Sequence, residues 1–355
     1  YIPMQLNKIP ATIVTGFLGS GKTTLLSNLL KNANGKRIAV IVNEFGALDI
    51  DGELLRSCPV EGCEEGEESK SSYYQLANGC ICCTVEEEFL PVMKDLVARR
   101  DDIDHILIET SGLALPKPLV KAFNWPDIKQ HCTVDAVVTV IDGPAVADGR
   151  YAHNPEHVAA QRAADESLDH DPSLQELLDD QLSAADLIIV SKNDLLNDQE
   201  KQQVKSFIDH KADTAVKNIF IDHGEIDVQL VMGLEQASED HISHVHNHHD
   251  KHHAHGHHHE HAHDHFDSHV IELGEQAPEA LIQKLQTLTE SMNIYRVKGF
   301  VSVPNKPMRL VIQGVGTRIN QYFDRLWNSD ETPKTQLVFI GKQLKKDEIL
   351  QALQS

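Results

Sequence analysis

The chain is poor in basic and aromatic residues and has no long apolar run. It contains 32 Lys and Arg against 54 Asp and Glu, which gives a net charge of −22, and only 5% of its residues are aromatic. Nucleic acids and anionic membranes attract clustered Lys and Arg, so this balance argues against both as partners and favours metal cations or basic protein surfaces. No segment approaches the roughly 18 apolar residues of a membrane span, and no signal-peptide pattern is present. We expect a cytoplasmic protein.

Cysteine is also scarce, with six residues in 355. In a chain of this length and expected compartment, cysteines are more often free thiols or metal ligands than a disulfide framework. The length is sufficient for two domains with a buried core.

The first thirty residues combine a strand pattern, a glycine-rich loop and a helix pattern, and residues 16–23 have the sequence GFLGSGKT. Backbone N–H groups of such a loop surround phosphate oxygens, and the helix N-terminus adds a partial positive charge. The agreement of all three elements argues against a chance glycine-rich turn. We predict that Lys22 reaches the β- and γ-phosphates and that the Thr23 hydroxyl binds Mg²⁺. The other predicted nucleotide contacts are Gly16, Gly19, Ser20, Gly21 and Thr24.

Two further strand ends carry nucleotide-binding patterns. Residues 104–108 are followed by Glu109 and, three positions later, Gly112. After a phosphate-binding loop, such a carboxylate lies beside Mg²⁺ and such a glycine beside the γ-phosphate. The run 187–190 precedes Lys192 and Asp194. An Asp there accepts hydrogen bonds from guanine N1 and N2, which adenine cannot offer, so GTP is favoured. The alternative is an Asp that only caps the strand, and Ser191 stands where many GTPases have Asn or Thr.

An acidic segment follows the second predicted strand and contains Glu44, Asp49 and Asp51. Three carboxylates near a phosphate site need cations to share them, so we predict Mg²⁺ or a second metal there. Glu44 is also a candidate catalytic residue. A solvated acidic loop is the alternative.

Three thiols lie within four residues, at Cys80, Cys82 and Cys83. This density favours binding of a soft or borderline cation as thiolates, although a redox pair or one structural cysteine are alternatives. A structural zinc site normally has four protein ligands, so an incomplete site suits metal transfer. Cys58 and Cys63 are weaker candidates.

Residues 241–269 contain 15 of the 22 histidines and few apolar side chains. Such a segment cannot bury enough surface to fold alone, so we predict a flexible linker that captures Zn²⁺, Co²⁺ or Ni²⁺ through neutral imidazoles, or a tolerated low-complexity linker.

Residues 1–240 alternate apolar runs with helical patterns, which predicts an α/β P-loop NTPase domain with a doubly wound, mainly parallel sheet. Residues 270–355 predict a small α+β domain, and we expect Cys132 to be a core residue.

These motifs, in their order and spacing, resemble the CobW-type metallochaperone GTPases. The resemblance also covers the histidine-rich connector and the strand around residues 297–300. It implies a GTP-dependent metal chaperone. As a hypothesis for its mechanism, Mg²⁺-GTP orders the segment around Glu44 and brings the Cys motif into metal-binding geometry, and hydrolysis to GDP releases the metal. Within the family, the features of residues 58–63 and 109–118 are similar to members of aerobic cobalamin biosynthesis, which implies Co²⁺ delivery to a cobaltochelatase.

Three hypotheses remain open from the sequence. The first is a chaperone for Co²⁺, or for Zn²⁺ as in other family members, that serves a cobaltochelatase or another metal-receiving enzyme. The second is a histidine-rich metal store, and the third is a regulatory GTPase with structural thiols. The oligomeric state is left open.

Overall fold

The computed structural model describes residues 7–33, 35–43, 72–76 (backbone only), 89–152, 173–213, 215–233 and 266–355, together with residues 154, 156, 158 and 160. The chain divides into two compact units, Lys8–Leu234 and a second one that contains residues 266–355. Each unit is described by itself. The predicted division at residues 240 and 269 stays a prediction.

The first unit is built on a seven-stranded sheet in which the described strand pairs are parallel and the strand order is β3-β2-β4-β1-β5-β6-β7. The most central strand, β1, lies between β4 and β5. The strands are β1 (Ile9–Thr15), β2 (Ile38–Asn43), β3 (Ser72–Leu76), β4 (His105–Glu109), β5 (Cys132–Asp142), β6 (Leu187–Ser191) and β7 (Lys217–Phe220).

Helices cover both faces of this sheet. One face carries two apolar clusters, one with Ile13, Ile106 and Met93 and the other with Ile188, Leu178 and Ile208. On the opposite face, the Thr12 hydroxyl of β1 donates to the Val231 carbonyl at 3.1 Å. Every residue of β4 and β6 is buried, as expected for strands covered on both sides. The described helices are α1 (Lys22–Lys31), α2 (Leu90–Ala98), α3 (Pro116–Ala122), α4 (Pro126–Lys129), α5 (Gly143–Ala147), α6 (Leu174–Ser183), α7 (Asp198–Lys211) and α8 (Val228–Val231).

Local sequence explains where two long helices begin. The Ser173 hydroxyl accepts from the Glu176 backbone N–H while the Glu176 carboxylate accepts from the Ser173 backbone N–H, and Asn197 and Glu200 repeat this arrangement at α7. Such capping boxes satisfy N–H groups that the first helical turn cannot pair.

The second unit is a five-stranded antiparallel sheet in the order β11-β10-β9-β12-β8. Leu285 and Ile349 from its two helices pack with Val297, Ile312 and Phe339 of the sheet. The elements are β8 (Asp267–Leu273), α9 (Pro278–Ser291), β9 (Ile294–Val301), β10 (Met308–Val315), β11 (Arg318–Leu326), β12 (Thr335–Gly341) and α10 (Lys346–Gln354).

The predicted fold class is confirmed in both units, with differences in individual elements. Strand β11 was not predicted, because it is an edge strand whose residues are mostly half-buried and lack an apolar alternation. Strand β3 was also missed. The apolar pattern predicts a strand over residues 136–141, whereas strand β5 starts at Cys132, because Cys132 pairs with Ile9 at the beginning of β1. In the described part of the chain, no helix has the length and apolar character needed to cross a bilayer.

An ion pair in the second unit predicts a pH-dependent stability. Arg325 donates to both carboxylate oxygens of Glu331, at 2.7 and 2.5 Å, and the Asn328 N–H donates at 2.8 Å. The hydrogen bonds from Arg325 lower the pKa of Glu331 from its usual 4.5 to about 2, against the opposing effect of burial. The stabilisation is therefore present above the unfolded pKa and is lost as the pH falls through the folded pKa.

We expect Glu331→Gln to lower the unfolding free energy of this unit by about 1–3 kcal/mol at pH 7, and the deficit to shrink as the pH falls below about 4.5. The difference in unfolding free energy is measured at each pH by urea unfolding, followed by the fluorescence of Trp327 in a Trp125→Phe background. Glu348→Gln is the matched control. Glu348 pairs with Lys345 at 2.7 Å, but the Lys345 side chain is 73% exposed, so loss of this surface ion pair changes stability little. A Glu331→Gln deficit that stays constant down to pH 3 contradicts the prediction.

Candidate nucleotide-binding site

The glycine-rich loop joins the central strand β1 to helix α1 at the carboxyl edge of the sheet. Gly16, Gly19 and Gly21 all have positive φ, at 140°, 78° and 97°. At Gly16 a side chain is impossible, since a Cβ atom there would lie 2.2 Å from the Val140 carbonyl oxygen. The loop backbone is therefore seated directly on strand β5.

Lys22 is the first residue of α1, and its side chain is buried beneath the loop. Its ammonium donates to the carbonyl oxygens of Gly16 at 2.6 Å and Phe17 at 3.1 Å. Burial lowers the pKa of Lys22, and the nearby Glu109 carboxylate opposes this shift. Burial likewise raises the pKa of Glu109, and Lys22 opposes that shift. The site thus holds one buried cation and one buried carboxylate that stabilise each other's charged forms.

Several buried oxygen atoms around the loop have no hydrogen-bond partner among the described residues. They are Thr15 Oγ1, Ser20 Oγ and Glu109 Oε2. Buried polar atoms in folded proteins are normally paired, so these atoms are suited to bind a polar ligand. Hydroxyl and carboxylate oxygens are ligands that Mg²⁺ prefers. Thr23 is half-buried and Thr24 is exposed on the first turn of α1. The residues present fit a Mg²⁺–nucleotide, and their individual roles stay predictions.

Gly112 lies directly against the glycine-rich loop. A Cβ atom on Gly112 would be 2.7 Å from the Leu18 backbone nitrogen, so the contact is possible only for glycine. The segment leading to Gly112 is joined to β1, because the Thr110 N–H donates to the Val14 carbonyl at 3.0 Å. The structure therefore brings the predicted γ-phosphate sensor and the predicted phosphate loop into contact.

Lys192 and Asp194 follow strand β6, two strands from β1. The Lys192 ammonium donates to the Gly19 carbonyl at 3.0 Å and pairs with the buried Asp142 carboxylate. Ser191 is buried, and its hydroxyl donates to the Ile141 carbonyl at 3.1 Å. The side chain of Asp194 is 35% exposed. Lys192 thus connects the predicted base-binding loop to the phosphate loop.

Sequence reasoning missed two parts of this site. Asp142 ends β5, pairs with Lys192 and accepts from the Ala145 N–H at 2.9 Å. The strand-end rule that selected Glu109 could have found it. The other part is the turn after β7: Asp222 accepts from the Asn193 amide at 2.9 Å, and the His223 carbonyl accepts from the Asn28 amide at 2.7 Å. No local motif marks this turn.

The remaining predicted residues lie outside the described residues. These are Glu44, Asp49, Asp51, Cys80, Cys82, Cys83, the weaker candidates Cys58 and Cys63, and the histidine-rich segment as far as residue 265. Within the described ranges, no group of three or more His, Cys, Asp or Glu side chains could hold a metal ion. Cys132 is buried in the core, where burial raises its thiol pKa to about 12, and its prediction as a core residue is confirmed.

Comparison with known proteins agrees with the architecture of both units. Residues 10–218 match the model for "CobW/HypB/UreG, nucleotide-binding domain" and residues 266–355 match the "Cobalamin synthesis protein cobW C-terminal domain". The chain is 53% identical over its whole length to 93% of a zinc chaperone CobW of Pseudomonas aeruginosa. It is 48% identical, over 94% of this chain and 93% of the relative, to a zinc chaperone CobW of a Sinorhizobium species.

The solved structures that align with nearly the whole chain include one from E. coli. It is the Zn(II)-bound YjiA GTPase from E. coli, with 25% identity, 98% coverage of each chain and a TM-score of 0.43. The family models and the two full-length relatives lead to one conclusion. The chain belongs to the CobW/HypB/UreG family of nucleotide-binding proteins.

Proposed function

We propose that this protein is a GTP-hydrolysing metallochaperone that binds a divalent transition metal at Cys80, Cys82 and Cys83 and delivers it to a metal-requiring enzyme. The observation that carries the proposal is the loop with buried Lys22 and Glu109, next to oxygen atoms of Ser20 and Glu109 that have no partner among the described residues. The full-length similarity to zinc chaperones supports the metal-delivery part.

In the proposed site, backbone N–H groups of Gly16, Gly19, Ser20 and Gly21 bind the phosphates, and Thr24 completes the first turn. Lys22 is held between the Gly16 and Phe17 carbonyls, close enough to Glu109 for their charges to interact. Thr23 and Glu109 would hold Mg²⁺, which when bound neutralises charge on the β- and γ-phosphate oxygens. We propose that Asp49 and Asp51 also serve this cation or a second metal.

The proposed reaction is hydrolysis of the γ-phosphoryl group. A water oxygen forms a bond to the γ-phosphorus, and the bond from that phosphorus to the bridging oxygen of GDP breaks, which gives GDP and phosphate. Glu44 is the proposed catalytic residue of the acidic segment. Gly112, against the Leu18 nitrogen, offers its N–H to the γ-phosphate and loses that contact after hydrolysis.

We propose Zn²⁺ as the cargo. Both full-length relatives are named zinc chaperones. Thiolates also bind Zn²⁺ more tightly than Co²⁺ by the usual affinity order. Co²⁺ supplied to a cobaltochelatase is the second candidate, favoured by the match of residues 266–355 to a domain named for cobalamin synthesis. Either cargo needs a metal-receiving enzyme as partner.

Nucleotide-dependent metal affinity tests the proposal. A metal that is released on hydrolysis should bind more tightly, by about tenfold, with Mg²⁺ and a non-hydrolysable GTP analogue than with GDP. Because linkage is reciprocal, the metal should strengthen binding of the analogue relative to GDP by the same factor. Competitive titration with Zn²⁺ and Co²⁺ measures this, and the thiolate-to-cobalt absorption identifies the ligands. Equal affinities in both nucleotide states contradict the proposal.

Two variants separate the chaperone from a histidine-rich store. A Cys82→Ser, Cys83→Ser double variant should lose the one tight, nucleotide-dependent site. Deletion of residues 241–265, which ends before β8 begins at Asp267, should lose only weaker metal binding. The reverse pattern supports storage, and unfolding of the double variant supports structural thiols.

Base recognition by Asp194 gives a separate prediction. Asp194→Asn should weaken GDP binding at least tenfold, because a carboxylate that accepts from guanine N1 and N2 is lost, and should improve binding of xanthosine diphosphate. Fluorescent-nucleotide titration measures both. Asp198→Asn, at an exposed position of α7, is the matched control and should change neither. Equal weakening of both nucleotides would favour a strand-capping role.

A further inference from the structure

Gln181 is a polar side chain buried in an apolar region next to the candidate site. It lies on α6 with 0% exposure, and its neighbours on that helix include the buried Leu177, Leu178 and Leu182. Its side-chain amide donates to the carbonyl oxygens of Gly112 at 3.2 Å and Ala114 at 3.3 Å. Among the described residues, the side-chain amide of Gln181 therefore binds only the loop that follows β4.

The position of this amide is itself fixed. The Thr139 hydroxyl on β5 donates to the Gln181 backbone carbonyl at 2.9 Å. The preceding residue, Asp180, pairs with Lys117 of α3 at 2.6 Å, and Asp179 pairs with Lys211 of α7 at 3.0 Å. One turn of α6 is therefore attached to β5, α3 and α7 while Gln181 holds the loop.

The same loop is also attached by apolar contact. Leu113 lies in one core cluster with Leu178 and Leu182 of α6 and with Phe17 of the phosphate loop. Leu113 is the residue between the two carbonyls that Gln181 binds. Gln181 therefore binds the backbone on both sides of Leu113, whose side chain is itself anchored in the core.

Burial of this glutamine has a cost that an apolar residue would avoid. Its Oε1 atom is buried and has no hydrogen-bond partner in the described part of the chain. An unpaired buried polar atom is unfavourable, and an apolar side chain of similar volume would pack with the surrounding leucines at no such cost. The useful part of the side chain is therefore its two N–H donors.

These donors bear on Gly112, because glycine has the widest choice of backbone conformations. Gly112 packs against the Leu18 backbone nitrogen. Its N–H points towards the proposed γ-phosphate position only if the adjoining peptide groups are fixed. A bound Gly112 carbonyl fixes the following peptide plane, and a bound Ala114 carbonyl fixes the end of the turn. We infer that Gln181 is a positioning residue for Gly112 and sets how strongly the site responds to the γ-phosphate.

The inference deepens and rests on the proposed function, and the test compares ligands with and without the γ-phosphate. In the full-length protein, Gln181→Met keeps the volume and removes both donors. GDP affinity should stay within about twofold of wild type, whereas affinity for a non-hydrolysable GTP analogue and kcat should each fall about tenfold, as expected for two lost hydrogen bonds. Fluorescent-nucleotide titration and phosphate release measure these values.

The matched control is Gln175→Met, the same substitution at an exposed position of the same helix, which should leave all three values unchanged. Equal loss of GDP and GTP-analogue affinity in Gln181→Met, or no loss of either, overturns the inference. Gln181→Leu is the second variant, and unfolding of both variants assigns Gln181 a structural role and also overturns it. If wild type binds no guanine nucleotide, the proposed function itself fails, whatever residue 181 is.

Discussion

The structure depends on one buried charge, the Lys22 ammonium. A cation removed from water is costly unless oxygen atoms surround it, and here the Gly16 and Phe17 carbonyls supply them directly while Glu109 adds an opposite charge. This requirement explains why the loop must curve back over its own lysine with glycines of positive φ. It also explains why Gly16 can carry no side chain against Val140.

The parallel sheet brings the other polar groups to the same place. Its strands are apolar on both faces, so their carboxyl ends are where polar side chains can collect. The register aligns Val14 with Glu109 and Asp142 with Ser191. Residues that are 95 positions (Val14 and Glu109) and 49 positions (Asp142 and Ser191) apart in the sequence thus meet at one edge. Lys192 connects this edge to the phosphate loop, since it binds both Asp142 and the Gly19 carbonyl.

The sequence predicts the parts of this arrangement that depend on local patterns. The glycine-rich loop and the buried strands β4 and β6 are contiguous, so their residues could be assigned from spacing alone. Gln181 could not be assigned, since its partner Gly112 lies 69 positions away and no motif surrounds it. Asp142 could be found only from its place at a strand end, since its partner Lys192 lies 50 positions away. Strand β11 was missed for a related reason: at an edge, its register comes from pairing with β10 and only weakly from its own pattern.

The size of the interactions explains how such a site could act as a switch. Coupling between two ligands is typically about 1–3 kcal/mol, far less than the stability of a sheet buried on both faces. A strand such as β4 is therefore too rigid to respond. The two hydrogen bonds from Gln181 to the Gly112–Ala114 segment contribute about 0.5–1.5 kcal/mol each, so together they match the size of such a coupling. Under the proposed function, a γ-phosphate contact acts on this segment and leaves the sheet undisturbed, so we propose that the loop after β4 transmits the nucleotide state of the site.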